Sequence, residues 1–269
     1  MGAVASSQSH LISSWRPIAV LNTFYRLFAL VINNRLLDWA TRGSLISPTQ
    51  NDLLSSDGCS EHNAYLLILK EHAKRNLIDL NICWFDLADA FPSVPLYLIN
   101  FTLEKMGLRI ETINLINSVY RNVNTFYKCN DLITLAIPIN RGVRQVCPIS
   151  MTIFCLTIDF VLRHFKDHPG NLIVNNQQFT LLAYADDLVL LGSSNQDIES
   201  KVNELVSIVD KIHLKFKQAK CGYFTLNGLA DIRIYGEKFP LLTKIILIHI
   251  WEFLLVPQKG IHNRRYLKQ

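Results

Sequence analysis

The sequence lacks the cysteine pairs that mark zinc knuckles and disulfide-rich secreted domains. Its six cysteines lie far apart, and no two of them form a C-x-x-C pair. We therefore expect free thiols in an intracellular protein of the nucleus or cytoplasm. The first ten residues have no positive start followed by an apolar block, so no signal peptide is predicted.

Long hydrophobic runs are also missing. The most apolar segment, residues 241–256, lies between Pro240 and Pro257 and contains Lys244 and Glu252. It is shorter than the roughly 20 apolar residues that a membrane-spanning helix needs, so no membrane anchor is expected.

Charged residues make up only 18% of the 269 residues, whereas hydrophobic residues make up 49%. This composition can bury a core, and it excludes a disordered or fibrous chain. The 27 basic and 22 acidic residues leave a formal charge of +5, which permits a polyanionic partner without requiring one.

Hydrophobic spacing predicts helices and strands in alternation. Helices are predicted at residues 17–39, 60–75, 96–106, 111–120 and 149–165, and after a capping box that begins at Ser194. Short apolar runs predict strands at residues 82–87, 125–129, 133–139, 179–185, 188–191 and 221–226. This mixture is typical of an α+β fold.

Two adjacent aspartates, Asp186 and Asp187, separate two of the predicted strands. Two-residue hairpin turns favour Asn-Gly or other glycine-containing pairs because φ must be positive, and adjacent carboxylates also repel each other. One interpretation is a solvated polar turn. The other is a hairpin whose carboxylates bind a divalent metal ion.

A third acid, Asp86, ends a buried apolar run, where a lone carboxylate is costly unless it is paired or bound to metal. If its strand lies beside the hairpin, Asp86 and Asp186 meet at one end of the sheet. Carboxylates suit Mg²⁺, and two such ions about 4 Å apart can activate a hydroxyl and stabilise a leaving pyrophosphate. The pattern therefore indicates phosphoryl transfer.

Five ordered motifs strengthen this interpretation. They are Trp15-Arg16-Pro17-Ile18, Phe85-Asp86-Leu87-Ala88-Asp89-Ala90-Phe91, Arg141-Gly142-Val143-Arg144-Gln145, Tyr184-Ala185-Asp186-Asp187, and Leu214-Lys215-Phe216 with Lys220-Cys221. In this order and spacing the chain resembles the reverse transcriptase of a non-long-terminal-repeat (LINE-type) retrotransposon. The resemblance spans about residues 14–226.

The resemblance implies a right-hand polymerase fold, in which an antiparallel palm sheet carries the Asp-Asp hairpin and packs on helices. It implies partial fingers at residues 1–80, a palm at 81–230 with finger elements around 108–145, and a degenerate segment at 231–269 with the thumb absent. The implied activity is RNA-directed DNA polymerase. Its partners are an RNA template, a DNA primer and deoxynucleoside triphosphates, and its cofactor is two Mg²⁺ ions, with Mn²⁺ as a substitute.

The resemblance also assigns roles to single residues. It makes Asp86, Asp186 and Asp187 catalytic metal ligands, with the Leu87 carbonyl completing the metal shell. The incoming nucleotide is implied to contact six residues, listed in chain order: Arg16, Asp89, Ala90, Phe91, Gln145 and Lys220. Phe91 matches the bulky gate under the sugar, although an ordinary core aromatic is the alternative. Arg141 and Arg144 are implied to contact the template backbone, with plain surface charge as the alternative.

Several positions depart from the family pattern. Val146 stands where the family usually has glycine, and a β-branched residue does not readily adopt positive φ. Pro92 replaces a common Asp, Lys217 an expected Asn, and Gln50-Asn51-Asp52-Leu53 the usual Gln-x-Gly-Phe. The alternative function is therefore a catalytically inactive nucleic-acid-binding relic of a retrotransposon polyprotein. A nucleotide cyclase explains the carboxylates but not the basic loop at residues 141–145.

Overall fold

A computed structural model describes residues 20–50, 53, 58–121, 123–129, 131–166, 168, 172–174, 177–227 and 231–241. The described residues form two compact units. The first unit is drawn from residues 1–47, 88–160 and 209–215, and the second from residues 48–87, 161–208 and 216–269. Each unit is therefore assembled from segments that lie far apart in the sequence.

Helices and antiparallel strands are mixed along the chain, as the hydrophobic spacing predicts. The helices are α1 (Thr23–Arg42), α2 (Gly58–Asn76), α3 (Ala90–Ser93), α4 (Leu96–Lys105), α5 (Ile110–Tyr120), α6 (Pro148–His164) and α7 (Asn195–Lys211). The strands are β1 (Leu80–Asp86), β2 (Val123–Thr125), β3 (Lys128–Cys129), β4 (Leu132–Ile133), β5 (Ile137–Ile139), β6 (Leu172–Val174), β7 (Gln177–Phe179), β8 (Leu181–Tyr184), β9 (Asp187–Gly192), β10 (Gly222–Leu226), β11 (Arg233–Ile234) and β12 (Glu237–Lys238). The described helices are each too short or too polar to cross a bilayer.

Local sequence accounts for where the main helices begin. The Asn22 side chain accepts a hydrogen bond from the Phe24 N–H at 2.9 Å and caps α1. Ser194 caps α7 as predicted, because its Oγ accepts from the Asp197 N–H at 3.1 Å. The Asp197 carboxylate accepts from the Ser193 N–H at 2.9 Å, one residue before the position that a capping box uses. These caps satisfy N–H groups that have no partner within the helix.

The second unit is built around a four-stranded antiparallel sheet with the strand order β10-β1-β9-β8. Helix α2 contributes Leu66, Leu69 and Ala73 to a buried cluster that includes Leu80 and Ile82 of β1. Alternate residues of a strand lie on the same face, so these side chains anchor β1 between its neighbours. The strand that ends at Asp86 is therefore held on both edges.

The first unit contains a β-ribbon in which β2 pairs with β5 and β3 pairs with β4. The sequence pattern predicts two longer strands flanking residues 130 and 131, and the structure divides each of them into two short pieces. The cysteines with described side chains, Cys83, Cys147, Cys155 and Cys221, are buried thiols, which confirms the prediction for these positions.

Candidate active site

Asp86 and Asp187 lie directly opposite each other on neighbouring strands. Asp86 is the last residue of β1 and Asp187 the first of β9, and the antiparallel register pairs their Cα atoms. Directly opposed residues project from the same face of a sheet, and two like charges placed this way destabilise it. The end of the sheet therefore needs positive charge.

Lys220 supplies positive charge beside Asp86. Its ammonium nitrogen lies 3.3 Å from Asp86 Oδ1, and Lys220 is the last residue of a 3₁₀ turn (Gln218–Lys220) that leads into β10. The backbone carbonyl of Asp86 accepts the Lys217 N–H at 2.8 Å, which brings the turn next to the strand end. The Asp86 side chain is 21% exposed, so it is accessible to ligands and is not enclosed in apolar surroundings.

The adjoining turn consists of Ala185 and Asp186, one position earlier than the sequence pattern indicates. Tyr184 pairs with Asp187, and Ala185 has φ +53°, a left-handed conformation that costs an L-residue about 1–2 kcal/mol. Asp186 is half-buried and Asp187 is exposed. The residue paired with Asp86 is thus Asp187, and Asp186 lies in the adjoining turn.

Oxygen donors at this strand end suit a hard divalent cation. Asp86 and Asp187 are carboxylates on paired residues, and Asp86 already contacts the cationic Lys220. Within the described ranges, however, the structure brings no three His, Cys, Asp or Glu side chains together closely enough to hold a metal ion. The donor chemistry therefore fits Mg²⁺, although the full set of ligands is not grouped.

Cys221 follows Lys220 and is buried. Its thiol donates a hydrogen bond to the Lys217 carbonyl at 3.4 Å, and burial raises its pKa to about 11. These contacts pack the start of β10 against the turn that carries Lys220.

Phe91 and its neighbours begin a short helix in the first unit. Asp89 is exposed and left-handed, with φ +44°, and Ala90 is buried at the start of α3. The ring of Phe91 stacks on Phe154, with ring centroids 4.6 Å apart and planes at 18°. Phe91 is half-buried, so one part of the side chain packs in the unit and another remains accessible.

The basic loop is braced against this segment. Gly142 has φ +82°, and its N–H donates to the Val94 carbonyl at 2.8 Å. A Cβ at Gly142 would overlap the main chain of Pro92, so only glycine fits. The Arg141 guanidinium donates to the Ser93 carbonyl at 2.6 Å.

Arg144 is held between two aromatic rings. Its guanidinium carbon lies 4.8 Å from the ring centroid of Tyr25 and 5.8 Å from that of Tyr120. A guanidinium N–H donates a hydrogen bond to the Val119 carbonyl. These cation–π contacts fix the end of the loop. The next residue, Gln145, is half-buried. Arg16 lies outside the described residues.

Val146 has a positive φ, which glycine adopts without strain. Its φ is +66°, and 56% of the residue is exposed. A β-branched residue is a pronounced outlier in this region of φ. The loop is therefore strained at Val146.

One residue at this site was not singled out by the motifs. Gln50 is fully buried, and its Oε1 accepts the N–H of Ala185 at 3.0 Å. No local pattern indicates this contact, because the two residues are 135 positions apart. The only signal was the departure from Gln-x-Gly-Phe, which preserves the glutamine.

Comparison with known proteins places these features in a family. Residues 6–262 match the family described as "Reverse transcriptase (RNA-dependent DNA polymerase)". The Pol polyprotein of retrotransposable element R2 from Nasonia vitripennis is 27% identical over 77% of this chain and 20% of that polyprotein. The 149 kDa protein of transposon TX1 from Xenopus laevis is 26% identical over 94% of this chain and 19% of that protein. The chain thus spans about a fifth of the length of these relatives.

Solved telomerase structures share the fold. Telomerase from Candida tropicalis, in complex with a TWJ fragment of telomeric RNA, aligns with a TM-score of 0.54 at 15% identity, over 75% of this chain and 34% of that chain. The corresponding complex from Candida albicans gives a TM-score of 0.51 at 12% identity, over 74% of this chain and 35% of that chain. The family match and the retrotransposon relatives confirm the resemblance drawn from the five motifs. The chain belongs to the reverse transcriptase (RNA-dependent DNA polymerase) family, as a domain related to those of non-long-terminal-repeat retrotransposon polyproteins.

Proposed function

We propose that this domain acts as an RNA-directed DNA polymerase that extends a DNA primer on an RNA template. The observation that carries the proposal is the direct pairing of Asp86 with Asp187, with Asp186 in the adjoining turn. Family membership makes nucleotidyl transfer the expected chemistry of such a carboxylate set. An RNA partner is supported by the telomerase of similar fold that binds an RNA fragment.

In this proposal the antiparallel sheet is the centre of a polymerase palm. The palm comprises residues 81–230, with finger elements around residues 108–145. Residues 1–80 are partial fingers, and residues 231–269 are a degenerate C-terminal segment. The buried thiols support an intracellular location, because reducing compartments preserve them.

The proposed metal ligands are Asp86, Asp186, Asp187 and the Leu87 carbonyl. These residues would hold two Mg²⁺ ions, or Mn²⁺ in their place, which when bound would activate the primer hydroxyl and stabilise the leaving pyrophosphate. The ammonium of Lys220 lies 3.3 Å from Asp86, which supports the proposal that this carboxylate attracts cations. Lys220 is also the proposed proton donor to the phosphates of the nucleotide.

Other residues are proposed to bind the substrates. The backbone N–H groups of Asp89 and Ala90 contact the triphosphate, together with the side chains of Arg16 and Gln145. Phe91, supported by its stacking partner, excludes the 2′-hydroxyl of a ribonucleotide.

The basic loop is assigned to the template. Arg141 and Arg144 contact its phosphates, a salt-dependent interaction without sequence preference. Both arginines also hold the loop through main-chain carbonyls, so their substitution affects loop shape as well as charge.

Primer extension on an RNA template tests the proposed activity. The variant Asp186→Asn removes a proposed metal ligand while preserving side-chain size, and extension should fall by at least about 100-fold. Asp79→Asn is the matched control, because Asp79 precedes β1 at the opposite end of the strand. Equal extension by the wild type and Asp186→Asn would remove the assignment.

A second candidate function is nucleic-acid binding without synthesis. The strained backbone at Val146, with φ +66°, favours it, because this loop is expected to position the nucleotide and template. In that case the wild-type chain binds a template–primer duplex with the same affinity as Asp186→Asn, and neither extends it. Mg²⁺-dependent extension by the wild type would exclude this candidate.

A further inference from the structure

The turn that carries Asp186 is held by a segment from outside its own hairpin. The fully buried Gln50 accepts the Ala185 N–H through Oε1 at 3.0 Å. Gln50 also forms a parallel bridge with Ala183, whose N–H donates to the Thr49 carbonyl at 2.9 Å. Residues 49 and 50 therefore run beside β8 and hold the strand where it enters the turn.

The hairpin needs this support. Ala185 has φ +53°, in a two-residue turn where Asn-Gly is the favoured pair. It is also 5% exposed, so its N–H would be buried without a partner if the glutamine oxygen were removed. Gln50 thus supplies the hydrogen-bond acceptor for Ala185, the turn residue with the unfavourable left-handed conformation.

Gln50 is not an optimal residue for stability alone. Among the described residues, its buried Nε2 has no hydrogen-bond partner. An unpaired buried amide is destabilising, and an apolar side chain of the same shape avoids that cost. The side-chain carbonyl therefore binds the hairpin, whereas the amide has no partner in the described part of the chain.

We propose that Gln50 is a positioning residue for the catalytic hairpin. By binding the Ala185 N–H it fixes the turn residue Asp186 and the first residue of β9, Asp187. The kinetic part of this inference rests on the proposed polymerase function. A displacement of about 1 Å in a reacting group can reduce a rate by about 100-fold, so a loosened turn should lower kcat.

Three variants test the role by kinetics. Gln50→Met removes the acceptor at similar volume, and kcat for primer extension should fall about 10- to 100-fold with KM for the template–primer nearly unchanged. Gln50→Glu retains an acceptor oxygen but buries a carboxylate, so its kcat should lie between those of Gln50→Met and the wild type. Asn227→Ala is the matched control, because it removes a 2.9 Å bond from the Asn227 amide to the Ile78 carbonyl at the opposite end of the sheet. It should lower Tm without lowering kcat.

Two measurements decide the role independently of synthesis. Amide hydrogen exchange at Ala185 should be faster in Gln50→Met than in the wild type, and Mn²⁺ should bind more weakly in a titration. Unchanged exchange and unchanged Mn²⁺ affinity would overturn the positioning role. If the wild type binds Mn²⁺ but makes no DNA, while Gln50→Met binds it more weakly, the proposed activity fails and the positioning role stands.

If Gln50→Met folds poorly, a double variant still tests the proposal. Glycine adopts φ +53° without strain, so adding Ala185→Gly should restore folding while leaving the turn without its acceptor. The double variant should then fold yet bind Mn²⁺ more weakly than Ala185→Gly alone. Equal Mn²⁺ affinity in these two variants would contradict the proposal.

Discussion

Replacing Val146 with glycine should stabilise the protein. Val146 has φ +66°, a conformation that costs a residue with a Cβ about 1–2 kcal/mol. Glycine removes that strain but loses up to about 1 kcal/mol more backbone entropy on folding. Little packing is lost, because 56% of the valine is exposed. The net expected gain in the free energy of unfolding is about 1 kcal/mol.

Urea denaturation of the wild type and Val146→Gly measures this gain directly. Val20→Gly is the control, because Val20 is 94% exposed and has no positive φ. The control should be neutral or slightly destabilised. If Val146→Gly is no more stable than the wild type, the strain argument fails.

The same variant has a consequence for activity. If strain at residue 146 misplaces the nucleotide or template, Val146→Gly should increase primer extension, whereas Val20→Gly should not. A more stable Val146→Gly protein with unchanged extension would separate loop strain from catalysis, and would show that the valine does not limit synthesis.

Three further outcomes are expected. Gly142→Ala should lower the free energy of unfolding by about 3 kcal/mol, because the cost of positive φ adds to the cost of overlap with the Pro92 main chain. Gly107 also has positive φ but has open space around it, so Gly107→Ala should lower the free energy of unfolding by only about 1 kcal/mol in the same urea denaturation. Phe91→Val should increase incorporation of ribonucleotides relative to deoxynucleotides by about 10-fold, and unchanged discrimination in single-nucleotide extension would refute the gate. Hydrogen bonding to His164 holds the pKa of Glu204 below its usual range, so Glu204 stabilises the fold above about pH 4.3 and this contribution is lost as the pH falls through the lowered pKa. Glu204→Gln should therefore reduce Tm at pH 6 and converge with the wild type in acid.

Hydrophobic spacing predicted the long helices and the strands of the four-stranded sheet, because burial of one face determines both. It did not predict the short elements α3, β6, β11 and β12. It predicted β1 and its terminal Asp86, and it predicted α6 from Pro148, a residue tolerated in the first turn of a helix. Hydrophobic spacing does not predict the register of the strands, because register depends on which residues of two strands far apart in the sequence pair with each other. The pairing of Asp86 with Asp187 follows from a turn at Ala185 and Asp186, one residue earlier than the sequence pattern indicates.

That displacement depends on tertiary contacts that no local pattern encodes. Alanine has no intrinsic preference for the left-handed conformation of Ala185, and its acceptor comes from Gln50. Arg144 is a similar case, since its sequence motif suggests an exposed cation whereas the fold places it between Tyr25 and Tyr120. The sequence therefore identified the motifs, whereas contacts with distant side chains determine the conformation of the Asp-Asp turn and the position of Arg144.

The position of β1 in the sheet has a consequence for synthesis on the ribosome. Its two edges pair with strands centred far downstream, and Leu80 has Leu226 as its partner. At translation rates of about 5–20 residues per second, the strand waits on the order of 10 s for that partner to be made. During this interval an apolar strand with two unpaired edges is exposed to other nascent chains, so binding by chaperones should determine the yield of folded protein more than the final stability does.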